Sequence, residues 1–504
     1  MSAINRRKTK MKMRVMPIAL SAAMTLLAST SVEAQFRRLR SQPRTTASRS
    51  GLNPIHEKTK TEAQSAYQRG DFQRAIDLTS SVLRANARDD VAYYLRASAR
   101  VDLGLQKKDI RTVRAGIVDA REAIRLKGRT NSIYYIPYFH GMTTLAKLED
   151  RPAHAEVVIT YASKTISQAG IKREDKAHLL YHRGRAHVAL KNMDEAITDF
   201  KAAIQSLSGQ IGFHMELADV LAKAGRTDEA TDAYKMAISR FPDEPVVYNN
   251  RGMFLQRQGK STDAIADFTQ TLQLNPKAFY AMTNRGFALL KSGDAAAAEI
   301  DLTASLKLNP DQPRAYGLRA STRLAQGRIA DGIADHEESV KRDAKNSVAW
   351  ADLGYARFFA GDYSGAVKSF DKAIELDSAR RYLDPWRHLS MARAGQADAA
   401  KEKFSKIIQA DASRRDWIDH LLTYLGGQID DATLIQSIND KPGVKTPQLC
   451  EAHFFIAERH HMAGDADTAT EHFRQAIETG AQQLAAYRGA NFALKKVSTA
   501  ADNN

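Results

Sequence analysis

Five arginines and five aspartates recur in a pattern that could do chemistry. Arg96, Arg183, Arg251, Arg285 and Arg319 are followed in turn by Asp119, Asp199, Asp267, Asp301 and Asp335. An open row of arginines could clamp carboxylates or phosphates, because a planar guanidinium donates two parallel hydrogen bonds. The aspartates argue for another use. Where the arginine position holds Leu217 or Leu353, the later position holds Ala233 or Ser369. Charges that come and go together belong together, so the pattern predicts a structural Arg–Asp pair in each of the five units. Arg387, followed by Lys403, is the exception.

Other candidates carry less. His453, His460, His461 and His472 cluster late in the chain, but a zinc site wants two histidines on one helix face and a third ligand nearby. His453 and His460 fall at positions that face a partner helix, and no metal is expected. Gly259-Lys260-Ser261 lacks the upstream glycine of a phosphate loop, and Ser369 with Lys372 is one turn of a helix. No catalytic constellation can be placed, so the chain reads as non-catalytic and without a cofactor. Its single cysteine, Cys450, excludes an internal disulfide and a cysteine zinc cluster.

A repeat positions these residues. Gly184, Ala218, Gly252, Gly286, Ala320, Gly354 and His388 are spaced evenly by 34 residues. Six of them are followed by Gly225, Gly259, Gly293, Gly327, Gly361 or Gly395, and the first by Lys191. Small residues let two helices approach closely. Glycine after the first helix supplies a left-handed turn, and Pro242, Pro276 and Pro310 stop the second. Ala63 and Ala97, with Gly70 and Gly104, extend the pattern upstream. An insertion near 106–113 and a degenerate unit around Gly141 and Ala155 interrupt it, and the phase breaks again at 417–447.

The pattern of small residues, Gly and Ala-x-x-x-aromatic at this period resembles the tetratricopeptide repeat. The resemblance implies an all-α fold, a right-handed superhelical solenoid of antiparallel helix pairs, with a protein or peptide partner bound in its concave groove. Groove positions of the first helices hold Asn250, Asn284, Phe287, Tyr355, Phe358, Phe359 and Trp386. Asn250 and Asn284 resemble the start of an asparagine ladder, since one amide both donates to and accepts from an extended backbone. The aromatic group is expected to supply anchors for partner side chains.

The net charge is +16, but its distribution argues against nucleic acid as a partner. Most of the excess lies before residue 60, outside the array. Residues 1–34 read as a secretory signal: a basic stretch, an apolar run over 15–28, and Val32-Glu33-Ala34 before Gln35. An uncleaved anchor is the competing reading. Ser29 stands where a bacterial lipoprotein would carry its lipid-bearing cysteine. Export to the bacterial periplasm or envelope is therefore expected. Residues 35–55 are basic and poor in apolar side chains, so they are expected to be a disordered linker that could touch membrane or cell wall. The remaining boundaries are N-terminal repeats over 56–170, a regular array over 171–412, C-terminal repeats over 413–497 and a disordered tail over 498–504.

The C-terminal stretches 417–438 and 450–494 resemble the last part of the enterobacterial lipoprotein NlpI family. The matching residues are Tyr424-Leu425-Gly426, Asp430-Asp431, Glu451, Phe454, Phe455 and Arg488. That resemblance implies a periplasmic adaptor that docks peptidoglycan hydrolases and a protease. The lipid cysteine is missing here and this array is longer. The second reading is a structural envelope protein attached to anionic lipid or polymer through its basic segment.

Overall fold

The computed structural model describes residues 54–127, 132–168, 170–410, 413 and 415–501. The signal segment and nearly all of the basic linker lie outside them. The described residues form α-helices joined by short turns, with no strand among them. None of these helices is long and apolar enough to cross a membrane. Contacts divide the chain into two units, 1–281 and 282–504. Each is a stack of antiparallel helix pairs.

The regular pairs join a first helix such as Pro245–Arg257 to a second such as Ser261–Leu274. The approach of the two helices depends on missing side-chain atoms. A Cβ on Gly252 would stand 2.7 Å from the ring of Phe268, and one on Gly354 would stand 2.5 Å from that of Phe370. Between the helices, Gly259 adopts φ 76° and lets the Lys260 N–H return to the Leu255 carbonyl. Lys191 makes the same turn at φ 64°, with the Asn192 N–H on the His187 carbonyl.

The insertion near residue 106 is not a loop. Helices Asp90–Lys107 and Ile110–Lys127 each have 18 residues, against 13 and 14 in the regular pair 245–274. Seven extra residues are close to two helical turns, so both helices lengthen and their facing sides keep register. Gly104 is consequently not the turn residue its position suggests. It lies inside the longer helix, where a Cβ would meet Val113 at 2.6 Å, and Lys108 turns the chain at φ 54°.

The C-terminal region departs from the period. Two short helices, Trp417–Leu425 and Asp431–Gln436, precede the long helix Lys445–Met462. The first is held by a capping box between Asp416 and Asp419. The last helix, Ala485–Ala501, runs through the start of the expected disordered tail, because nothing in Lys495 to Ala501 breaks a helix.

Candidate functional site

Each of the five arginines grips its aspartate with two bonds, through Nε and Nη2. The distances are 2.8 and 2.7 Å for Arg96–Asp119, 2.8 and 2.6 Å for Arg183–Asp199, and 2.8 and 2.6 Å for Arg251–Asp267. Arg285–Asp301 gives 2.7 and 2.8 Å, and Arg319–Asp335 gives 2.8 Å for both. The aspartates are buried, and the arginine side chains keep 15–29% of their surface. A third bond was not foreseen from the sequence. Nη1 of Arg96, Arg183 and Arg319 reaches Ser80, Ser163 and Thr303 on the preceding second helix, at 3.2, 3.0 and 3.3 Å. These arginines therefore tie three helices together. Arg387, lacking its aspartate, lies 3.3 Å from Asp371, which Lys403 approaches at 3.7 Å.

The aromatic groove candidates have a different fate. Phe358, Phe359 and Trp386 are buried at 5%, 5% and 2% exposure, so they are core and not free anchors. Trp386 stacks on Phe454 at 4.8 Å, and Phe358 meets the edge of Trp386 at 5.3 Å. Phe359 stacks on Phe492 of the last helix at 5.0 Å. Tyr355 is half-buried against Phe370 and Trp386, at 5.3 and 5.0 Å, and burial pushes its phenol well up. The repeat pattern could not show this cover, which comes from residues about a hundred positions later. Phe454, Phe455 and Phe492 were the available hint.

The remaining candidates do not form a ladder. Asn250 is half-buried, and among the described residues its partners are weak, the Met215 sulfur at 3.7 Å and the Asn249 amide at 3.4 Å. Asn284 is buried and accepts from Arg314 Nη1 at 3.2 Å. The two asparagines belong to different units. Phe287 is half-buried between two cations, Arg314 at 5.5 Å and Lys291 at 5.9 Å from its ring.

Sequence reasoning missed a charged face on the first helices of unit 1. Arg185 lies 3.3 Å from Glu216, and Lys223 pairs with Asp219. Asp102 accepts from the Tyr67 hydroxyl and lies 3.7 Å from His140. Burial raises Asp102 to about 6 and holds His140 well below the usual imidazole range, helped there by Arg185 and Lys147. Lys147 stands apart, since no hydrogen bond or ion pair holds it among the described residues. Its side chain is exposed; desolvation by the surrounding protein and the Arg185 guanidinium bring its ammonium down to about 8, opposed by the Glu216 and Asp219 carboxylates. These side chains come from separate units of the repeat, including the degenerate one, so no single motif announces them.

Three of the late histidines gather at His472, whose ring lies 5.1 Å from that of His453 and 6.3 Å from that of His460. His453 and His472 share a hydrogen bond between their Nδ1 atoms at 2.9 Å. His460 bridges Asp431 at 2.7 Å and Asp465 at 3.1 Å, chiefly the Asp431 bond raising its pKa. No group of metal-ligating side chains that could hold an ion occurs among the described residues.

Tetratricopeptide-repeat family models match residues 177–206, 215–244, 250–313 and 317–381. Among solved structures, a tetratricopeptide repeat protein from Parabacteroides merdae is 17% identical, covering 49% of this chain and 98% of its own, with a TM-score of 0.38. Pseudomonas aeruginosa pilF is 20% identical over 41% of this chain and 95% of its own, with a TM-score of 0.37. MamA from Desulfovibrio magneticus is 23% identical over 34% and 96%, with a TM-score of 0.31. No curated protein sequence matches the chain. With the helix pairs described above, the family-model matches identify residues 177–206, 215–244, 250–313 and 317–381 as tetratricopeptide repeats, the architecture of a protein-interaction scaffold.

Proposed function

We propose that this protein is a non-catalytic adaptor of the bacterial cell envelope. It is exported by residues 1–34 and holds an extended segment of a partner protein in the groove formed by the first helices of unit 1. The observation that carries this reading is Lys147. On a face where Arg185 and Lys223 each have a carboxylate within ion-pair reach, Lys147 has none among the described residues, Glu216 and Asp219 acting on it only from farther off. An exposed cation without an ion-pair partner suits an acidic side chain on an incoming segment. Asn250, with its weakly engaged amide, would meet that segment's backbone. The NlpI resemblance points to cell-wall hydrolases or a protease as the partners.

The test is capture from a solubilised envelope fraction, with a photo-cross-linker beside Lys147. The wild-type chain should retain defined proteins at moderate salt and cross-link to them. Lys147→Glu should lose them at an unchanged melting temperature. Capture that ignores Lys147, needs residues 35–55 and fades as salt rises would favour the structural envelope protein instead.

A further inference from the structure

The last helix covers part of the first-helix face of unit 2. First helices of the array rest on the second helix before them and on the preceding first helix, as Ile136–Leu148 does on Asp90–Lys107. Ala485–Ala501 packs in that way on Ala466–Glu478 and Lys445–Met462, and it also touches a more distant first helix, Ser347–Ala360. Its contact is a close one. A Cβ on Gly489 would stand 2.6 Å from Phe454 and 3.1 Å from Phe359, and Phe492 stacks on Phe359. Arg488 is near enough for its charge to act on Asp352, Tyr355 and His336. The two sides of this contact differ. Phe359 and Phe454 are buried beneath it, while Tyr487, Phe492 and Leu494 keep part of their surface in solvent. Ala486 and Ala490 are buried in the contact, so the surface left in solvent belongs to the flank of the helix.

We propose that the first-helix face of unit 2 is a helix-binding groove and that Ala485–Ala501 is its resident, exchangeable ligand. A partner helix with a basic residue, a small residue next to it and an aromatic three residues further on would compete for the same seat. This rests on the reading of the chain as a protein-binding scaffold. The short connection after Glu478 keeps the resident helix at a high effective concentration, so a partner in trans must overcome the tether.

The probe is a fluorescent synthetic peptide of residues 482–501, added to the full chain and followed by anisotropy. Gly489→Leu should unseat the resident helix, and that variant should bind the peptide at least about tenfold more tightly than wild type. Phe492→Ala in the chain should act in the same direction with less disturbance of packing, and Phe492→Ala in the peptide should abolish binding. Failure of both chain variants to bind the peptide would overturn the proposal, whether they stay folded or lose their cooperative melt, because the helix would then be a dispensable or an integral part of the core. Capture through Lys147 is read on unit 1 and should persist in Gly489→Leu, so the two readings fail separately.

Discussion

Arg96 holds Asp119 across 23 residues with the same two bonds that Arg251 makes to Asp267 across 16. The difference is two helical turns, one given to each helix of the pair. The geometry survives because an α-helix repeats its facing side nearly every seven residues. An insertion of five would have rotated Asp119 off that side.

The pairs should matter to stability. Arg285→Ala strands Asp301, whose side chain is 8% exposed, while Arg285 itself is 25% exposed. Loss of one partner from a fully buried pair costs about 3–5 kcal/mol, and from an exposed one under about 1. A fall of about 2–3 kcal/mol is expected by urea unfolding, between those limits. The double change Arg285→Leu with Asp301→Ala, which copies Leu217 with Ala233, should recover most of it.

Trp386 and Phe358 should behave as core. Replacing Trp386 by Ala should cost about 3–5 kcal/mol and lower the melting temperature sharply. A variant that melts like wild type would mean that the stack on Phe454 does not hold in solution.

Lys191 and Lys108 occupy backbone conformations that glycine adopts freely, at φ 64° and 54°. A side chain in the left-handed region costs about 1–2 kcal/mol, offset partly by the entropy glycine loses on folding. Lys191→Gly should therefore stabilise the chain by about 0.5–1 kcal/mol in a thermal melt. A neutral or negative result would show that the lysine side chain makes a compensating contact.

Acid should weaken the fold. Burial holds His336 and His388 down at about 4, and burial with His472 does the same for His453. An unfolded histidine titrates near 6.5, so the unfolded chain binds more protons between those values and stability falls as pH drops below about 6.5. For buried His388 the full loss is about 3 kcal/mol by pH 4. Asp102 and Asp352, raised to about 6 by burial, act oppositely, since their contribution is lost as pH rises from about 4 to 6. The histidines outnumber them. Urea midpoints at pH 7 and 5 should show the net fall. His388→Ala should reduce the slope with pH even though it leaves a cavity.

The sequence alone determined the repeat, because everything the repeat requires is local. A small residue opposite an aromatic, a left-handed glycine and a proline past the second helix all act within one helix pair, so residue types at fixed positions declare them. The Arg–Asp partners are local in the same sense, each aspartate lying on the helix next to its arginine. The tertiary structure decided what covers the first helices. Phe359 and Phe492 are far apart in the chain, and Trp386 meets Phe454 only because the C-terminal helices return across unit 2. A period describes how neighbouring units pack and carries no information about a later segment folding back on them. The same reason hid the charged face of unit 1, where Asp102, His140, Lys147, Arg185 and Glu216 each look ordinary in their own helix and become a site only when those helices stack.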